Sequence, residues 1–186
     1  MSQLTKEQWA ATTIHAPLLV FLKAEWDKWA RMTRFVNRDL VSQPNLNDDA
    51  ENHLRACLIS AVRGPLLQQL PQDTQWFEVK WLRHEHLDEL RVVGRCGWDD
   101  VNDENELLKV AARKPQKMLK ETASWDPPIL WGHSKAGPFT ILEGNNRLTS
   151  YASSAGTRDL QVLCYVGLSP NPCVWHLADP YPIDSA

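Results

Sequence analysis

The chain has 186 residues, 43% of them hydrophobic, and a mean hydropathy of −0.41; these values favour one soluble globular domain with an extension over a disordered chain. The longest apolar run, APLLVFL, is too short to span a bilayer, and the polar start MSQLTKEQW lacks a signal-peptide pattern. The net charge of −3 and the pI of about 6.1 exclude a global positive field that would attract nucleic acid.

The first part of the chain, residues 1–72, is predicted to be a helical extension. Pro17 can open a helix in this part. The clearest helical segment is NLNDDAENHLRACLISAVRGP, in which Asp48 or Asp49 can cap the start and a Gly-Pro pair ends the helix. Apolar residues recur on one side of this segment, which predicts that this side faces the core. They are Leu54, Cys57, Leu58, Ala61 and Val62.

The second part, residues 73–186, has the pattern of an α+β domain with a proline-rich tail. WFEVKWL alternates like a strand. PPILWG and FTILEG are short apolar segments joined by HSKAGP, which predicts a hairpin. The other predicted elements are a helix over 101–123 broken at Pro115, a helix over about 146–155 and a strand over 159–167.

Charge is unevenly distributed in this second part. Residues 78–106 carry nine acidic and four basic side chains, a net charge of −5, whereas residues 107–121 carry five basic and one acidic, a net charge of +4. Two solvated faces are the simplest interpretation. The basic side chains can also line a groove that binds DNA phosphates without sequence preference. They are Lys109, Arg113, Lys114, Lys117 and Lys120.

The stretch FTILEGNNRLTSYASSAG places Glu-Gly-Asn-Asn-Arg between a predicted strand and a predicted helix. The first amides of a helix lack intrahelical partners and attract anions, and Gly144 lets a ligand approach the backbone closely. Asn145 and Asn146 can cap the helix or donate N–H groups, and Arg147 can bind a phosphate in a bidentate manner. Glu143 can hold a metal ion or accept a proton. The same turn is equally typical of a capped helix with a surface salt bridge.

The element order and this motif resemble the ParB/sulfiredoxin superfamily over residues 76–167. The resemblance implies a small α+β domain behind the helical N-terminal extension. It also implies that Gly144 to Arg147 bind nucleotide phosphates, with ATP and Mg²⁺ or another divalent cation as cofactors. In this family the segment HEHLDE would face the turn, so that Glu85, Asp88 or Glu89 could add a metal-binding carboxylate to Glu143.

Departures from the family pattern narrow the implied function. Asn145 stands where sulfiredoxins have a reactive cysteine, and Asn146 stands where some relatives have histidine for phosphoryl transfer. Little chain follows residue 167, whereas partition proteins continue into a helix-turn-helix domain. The chain therefore resembles stand-alone members, among them plasmid fertility-inhibition proteins of the oncogenic-suppression type.

The resemblance implies a bacterial phosphohydrolase that acts on ATP, with Glu143 and Arg147 as catalytic residues and non-specific DNA cleavage as a further expectation. Two alternatives stay open. One is a non-catalytic inhibitor whose Trp-rich helices bind a conjugation or secretion protein, and the other is a kinase of a small hydroxyl compound. The four widely spaced cysteines form no CxxC pair, which is typical of reduced thiols in the cytoplasm. No membrane insertion is expected.

Overall fold

A computed structural model describes residues 9–29, 33–63, 70–81, 87, 89–92, 126–153 and 162–171. These residues form a six-stranded mixed sheet and four α-helices, which agrees with the expected mixture of helix and strand. The strands are β1 (Trp9–Thr12), β2 (Gln75–Trp81), β3 (Leu90–Val92), β4 (Ile129–Gly132), β5 (Phe139–Glu143) and β6 (Val162–Leu168). The helices are α1 (His15–Glu25), α2 (Asp39–Ser42), α3 (Asp49–Arg63) and α4 (Asn145–Ser153), and Trp26–Trp29 forms a 3₁₀ turn.

The sheet has the strand order β1-β2-β6-β4-β5-β3. The pairs β1–β2, β2–β6 and β4–β5 are antiparallel, whereas β4–β6 and β3–β5 are parallel. The predicted hairpin is confirmed because β4 and β5 pair directly through the turn between them. Ile129, at the start of β4, lies opposite Glu143, at the end of β5, so the segment before β4 reaches the beginning of α4.

Residues 9–12 are a strand, so the prediction of an entirely helical N-terminal part is wrong there. β1 pairs with β2 from Trp9↔Val79 to Thr12↔Trp76 and forms one edge of the sheet. The Trp9 ring packs edge-on against Phe77, with 5.4 Å between the ring centroids. Aromatic residues favour this setting because cross-strand packing buries them. The division of the chain at residue 72 stays a prediction, although β1 belongs to the same sheet as β2.

Helices cover both faces of the sheet. α1, with Pro17 in its first turn as predicted, is buried along residues 16–22 and shares a hydrophobic cluster with Ile59 of α3 and with sheet residue Ile129. On the opposite face, Leu130 and Val166 belong to a second cluster that includes side chains of α4. Successive strand residues point to opposite faces, so neighbours such as Ile129 and Leu130 contribute to different clusters.

The capping of α3 is confirmed, but its predicted buried face is wrong. The amides of Ala50 and Glu51 donate to Asp48 Oδ1 at 2.9 and 3.0 Å. The buried positions of α3, however, are Asn52, Arg55 and Ile59. Leu54 is 43% exposed, and Cys57 and Ala61 are exposed as well. Polar side chains occupy the inner face because hydrogen bonds from the protein satisfy them, which a pattern of apolar residues does not reveal.

The loops at one end of β2 and β6 are joined through Asp73. Ser169 Oγ donates to Asp73 Oδ1 at 2.7 Å, and Asn171 Nδ2 donates to Asp73 Oδ2 at 2.9 Å. These hydrogen bonds, that from Ser169 first, hold the pKa of Asp73 below its usual range. His133 Nδ1 lies 3.1 Å from the carbonyl oxygen of Ser169. Ser169 Oγ donates to the Asp73 carboxylate and not to His133. Ser169 and His133 therefore do not form a pair of nucleophile and base.

We expect Asp73→Asn to remove a pH-dependent contribution to stability. The pKa of Asp73 is lower in the folded than in the unfolded protein, so its carboxylate stabilises the fold above the unfolded pKa of about 3.9 and loses this effect as the pH falls. Thermal unfolding of the wild type and the variant should therefore differ at neutral pH and converge in acid. Ser169→Ala, which removes the first hydrogen bond, should show the same convergence. A difference that is constant with pH would contradict this role.

Candidate functional site

The turn between β5 and α4 requires glycine at its centre. Gly144 has a φ of +100°, in the left-handed region that other residues rarely adopt. A Cβ atom at this position would lie 3.1 Å from Pro128 Cβ and 3.3 Å from Pro128 Cα. The backbone therefore makes a sharp turn against Pro128, with Gly144 as the single residue between the end of β5 at Glu143 and the start of α4 at Asn145.

Arg147, in the first turn of α4, is held by two segments of the chain. Its Nη1 donates to the carbonyl oxygen of Asp126 at 2.6 Å, and its Nη2 donates to Glu143 Oε1 at 3.4 Å. Nη1 also lies 4.0 Å from Asp126 Oδ2. The side chains of Arg147 and Glu143 are 23% and 21% exposed, so the pair is shielded from most of the solvent. The turn thus contains the predicted salt bridge in a partly buried setting.

The side-chain oxygen of Asn145 is a hydrogen-bond acceptor without a donor, and it lies at the same turn. Within the described ranges, its Oδ1 atom is buried and accepts no hydrogen bond. Its carbonyl oxygen accepts a hydrogen bond from Thr149 Oγ1 at 2.6 Å. A buried polar atom left unpaired costs about 1–3 kcal/mol, so this oxygen favours a ligand that donates an N–H or O–H group. Asn146 is exposed at the helix surface.

Asp126 is a site residue that sequence reasoning missed. It precedes Pro127 and Pro128, and the antiparallel register of β4 and β5 brings this segment beside Glu143. Its carboxylate and its carbonyl oxygen both face Arg147. An acidic residue directly before two prolines and a strand was the available signal, but its approach to Arg147 depends on strand pairing.

The expectation that Glu89 shares a metal ion with Glu143 is wrong. β3 runs parallel to β5 with Leu90 opposite Phe139, so Glu89 lies near the first residue of β5. A Cβ atom on Gly137, in the turn that leads into β5, would lie 3.7 Å from Glu89 Cβ. Glu143 is four residues beyond Phe139, roughly 13 Å along the strand. The two carboxylates therefore lie at opposite ends of β5.

Several predicted site residues lie outside the described ranges. These are the second metal-binding carboxylates and the whole basic run proposed for DNA. Among the residues that the structure does describe, no group of three or more His, Cys, Asp or Glu side chains is arranged to hold a metal ion. The predicted residues outside the described ranges are Glu85, Asp88, Lys109, Arg113, Lys114, Lys117 and Lys120.

Three tryptophan side chains of the described residues contribute to the core. Trp131 is fully buried and packs edge-on against His133, with 5.0 Å between ring centroids. Trp9 and Trp26 are buried as well. Trp131 therefore has no open face on which a nucleotide base could stack. Trp98 and Trp125 lie outside the described residues.

In the part of the chain that the structure covers, no helix combines the length and the apolar character needed to cross a lipid bilayer.

The chain matches no protein-family model, no curated protein and no solved structure. Membership of the ParB/sulfiredoxin superfamily therefore stays a prediction from the motif and the element order.

Proposed function

We propose that the turn from Glu143 to Arg147 binds the phosphates of a nucleotide and that the protein is a nucleotide-dependent phosphohydrolase acting on ATP. The observation that carries this proposal is the position of Arg147. Its guanidinium is partly buried in the first turn of α4, one turn from the left-handed Gly144. A cation beside the free amides of a helix N-terminus favours an anionic ligand.

The contacts of Arg147 suggest how a phosphate would enter. The hydrogen bond from Nη1 to the Asp126 carbonyl is short, at 2.6 Å, whereas that from Nη2 to Glu143 is long, at 3.4 Å. A phosphate oxygen that replaces Glu143 at Nη2 would form a charge-assisted hydrogen bond. Arg147 would stay anchored through Asp126, and the carboxylate of Glu143 would lose its cation. Phosphate binding would thus replace the contact between Glu143 and the Arg147 guanidinium with one between phosphate and Arg147.

In the proposed reaction, water attacks the terminal phosphorus while Glu143 accepts one of its protons. The new O–P bond forms as the bond to the bridging oxygen breaks, which gives a nucleoside diphosphate and inorganic phosphate. Arg147 and the first amides of α4 would stabilise the negative charge on the phosphoryl oxygens. The buried Oδ1 of Asn145 would accept a hydrogen bond from a hydroxyl or amino group of the nucleotide.

The carboxylates at the turn also fit a divalent cation. Mg²⁺ is usually bound by one or two carboxylates together with substrate phosphates, and it neutralises phosphate charge when bound. Glu143 and Asp126 both contact Arg147, where the phosphates are expected. They would therefore hold the cation beside the ligand without a dedicated protein cage.

Arg147→Ala should weaken nucleotide binding by about 1.5–3 kcal/mol, because a charged donor to the phosphate is lost. Isothermal titration calorimetry with ATP measures this change. Arg38→Ala is the matched control, since Arg38 is exposed and its contact is Asp27 at 3.7 Å, away from the turn. Equal affinity of the wild type and the folded Arg147→Ala variant would overturn the site.

Product analysis separates the proposed hydrolase from the alternatives. Release of inorganic phosphate from ATP and water alone supports hydrolysis. Formation of ADP only when a hydroxyl acceptor is present indicates a kinase. Nucleotide binding without turnover indicates a non-catalytic inhibitor. Trp26 is buried, and the partly buried Trp29 packs against the same cluster.

A further inference from the structure

The outward face of α3 combines apolar residues with two metal-ligating side chains. Because Asn52, Arg55 and Ile59 face inward, the other side of the helix is exposed. Leu54 is a large exposed hydrophobic residue on this outer side. Asp49, the first residue of α3, is exposed as well. We call the exposed residues that follow it the outer stripe; they are Ala50, His53, Leu54, Cys57 and Ala61.

His53 and Cys57 are one helical turn apart and already in contact. The distance from His53 Nε2 to Cys57 Sγ is 3.5 Å, and both residues are exposed. In a tetrahedral zinc site, Zn–S is about 2.3 Å and Zn–N about 2.0–2.1 Å, which places the two ligand atoms about 3.6 Å apart. The pair therefore has the ligand spacing that one tetrahedral ion requires, without movement of the helix.

Two ligands do not complete such a site. Structural zinc ions have four protein ligands, and within the described ranges no third His, Cys, Asp or Glu joins this pair. The pair is centred on residue 55, close to the middle of α3, which spans Asp49–Arg63. A two-fold axis through the centre of the outer stripe would place His53 and Cys57 of a second copy beside His53 and Cys57 of the first. The small side chains of Ala50 and Ala61 would let the two helices approach closely.

We propose that His53 and Cys57 form half of a binding site for Zn²⁺, or a cation with the same preference for sulfur and imidazole, and that a second copy of the chain completes it as a Cys₂His₂ site. The cation would bind the Cys57 thiolate, with the thiol proton released to solvent, and the neutral His53 imidazole. The apolar residues of the outer stripe would be buried between the two helices. This site is separate from the turn at Arg147 and does not depend on the function proposed there.

Zn²⁺ and Co²⁺ titrations of the full chain, combined with analytical ultracentrifugation, test the proposal. We expect one ion per two chains, a thiolate-to-cobalt charge-transfer band, and a dimer that chelator converts to monomer. Cys57→Ala and His53→Ala should each abolish the band and the metal-dependent dimer. Circular dichroism verifies folding, which these exposed positions should not disturb.

The double variant Cys57→Ala/Ala61→Cys is the matched control. It keeps an exposed thiol on the same face of α3, but roughly 12 Å from His53 along the helix, too far to share an ion. It should therefore not restore the site. Burial raises the pKa of the Cys164 thiol, so that cysteine offers no competing thiolate. Unchanged metal binding by Cys57→Ala, one ion per monomeric chain, or no binding by the wild type would each overturn the proposal.

Discussion

Replacing Arg55 with methionine should lower the free energy of unfolding by about 2–5 kcal/mol. The Arg55 side chain is 1% exposed. Its Nε donates to the carbonyl oxygen of Leu40 at 2.9 Å and its Nη1 to Asn52 Oδ1 at 2.6 Å, while Nη2 pairs with Glu51. Methionine fills similar space but leaves two inward-facing acceptors without donors. The substitution would also remove the hydrogen bond that joins α3 to the Leu40 carbonyl of α2.

Urea unfolding of the two proteins measures this difference. Arg38→Met is the control, because Arg38 is exposed and its substitution should change stability by no more than about 0.5 kcal/mol. Arg55→Lys should give an intermediate loss, since an ammonium keeps the charge but not the planar fork of donors. A loss below about 1 kcal/mol for Arg55→Met would show that the Arg55 network contributes little to stability.

Glu143→Gln should reduce nucleotide hydrolysis by about 10²–10⁴-fold, the range expected when a general base is removed. Nucleotide binding should persist, because the neutral amide no longer competes with phosphate for the Arg147 guanidinium. Steady-state phosphate release and calorimetry, each with Mg²⁺, distinguish the two effects. Their separation would show that Glu143 acts in turnover and not in nucleotide binding.

Asp126→Asn is the matched variant for this experiment. It keeps the carbonyl oxygen that anchors Arg147 but removes the second carboxylate at the turn. We expect it to raise the Mg²⁺ concentration needed for turnover while nucleotide affinity changes little. Unchanged phosphate release by folded Glu143→Gln would exclude Glu143 as the base, and Asp126, the other carboxylate beside Arg147, would become the next candidate.

Local patterns in the sequence were sufficient for the turn that forms the candidate site. The strand before Glu143, the glycine, and the helix that follows are each defined by neighbouring residues, and they appear within three residues of the predicted bounds. The Asp48 cap and the β4–β5 hairpin were predictable for the same reason. Turn chemistry and helix capping act over two to five residues, so one stretch of chain contains the information.

Contacts between distant segments decided the rest. Arg55 can be buried because its Nε donates a hydrogen bond to the carbonyl oxygen of Leu40, fifteen residues away. Apolar periodicity does not reveal this contact and therefore predicted the wrong buried face for α3. Trp9 lies in a strand because β2 supplies its partner.

The direction and register of strands likewise determined which carboxylates meet. The sequence by itself determined that Glu143 and Arg147 share a sharp turn. Only the tertiary structure decided that Asp126 joins them while Glu89 lies at the far end of β5. The physical reason is that strand pairing sets distances between residues far apart in the chain, and neither composition nor periodicity specifies which strands pair.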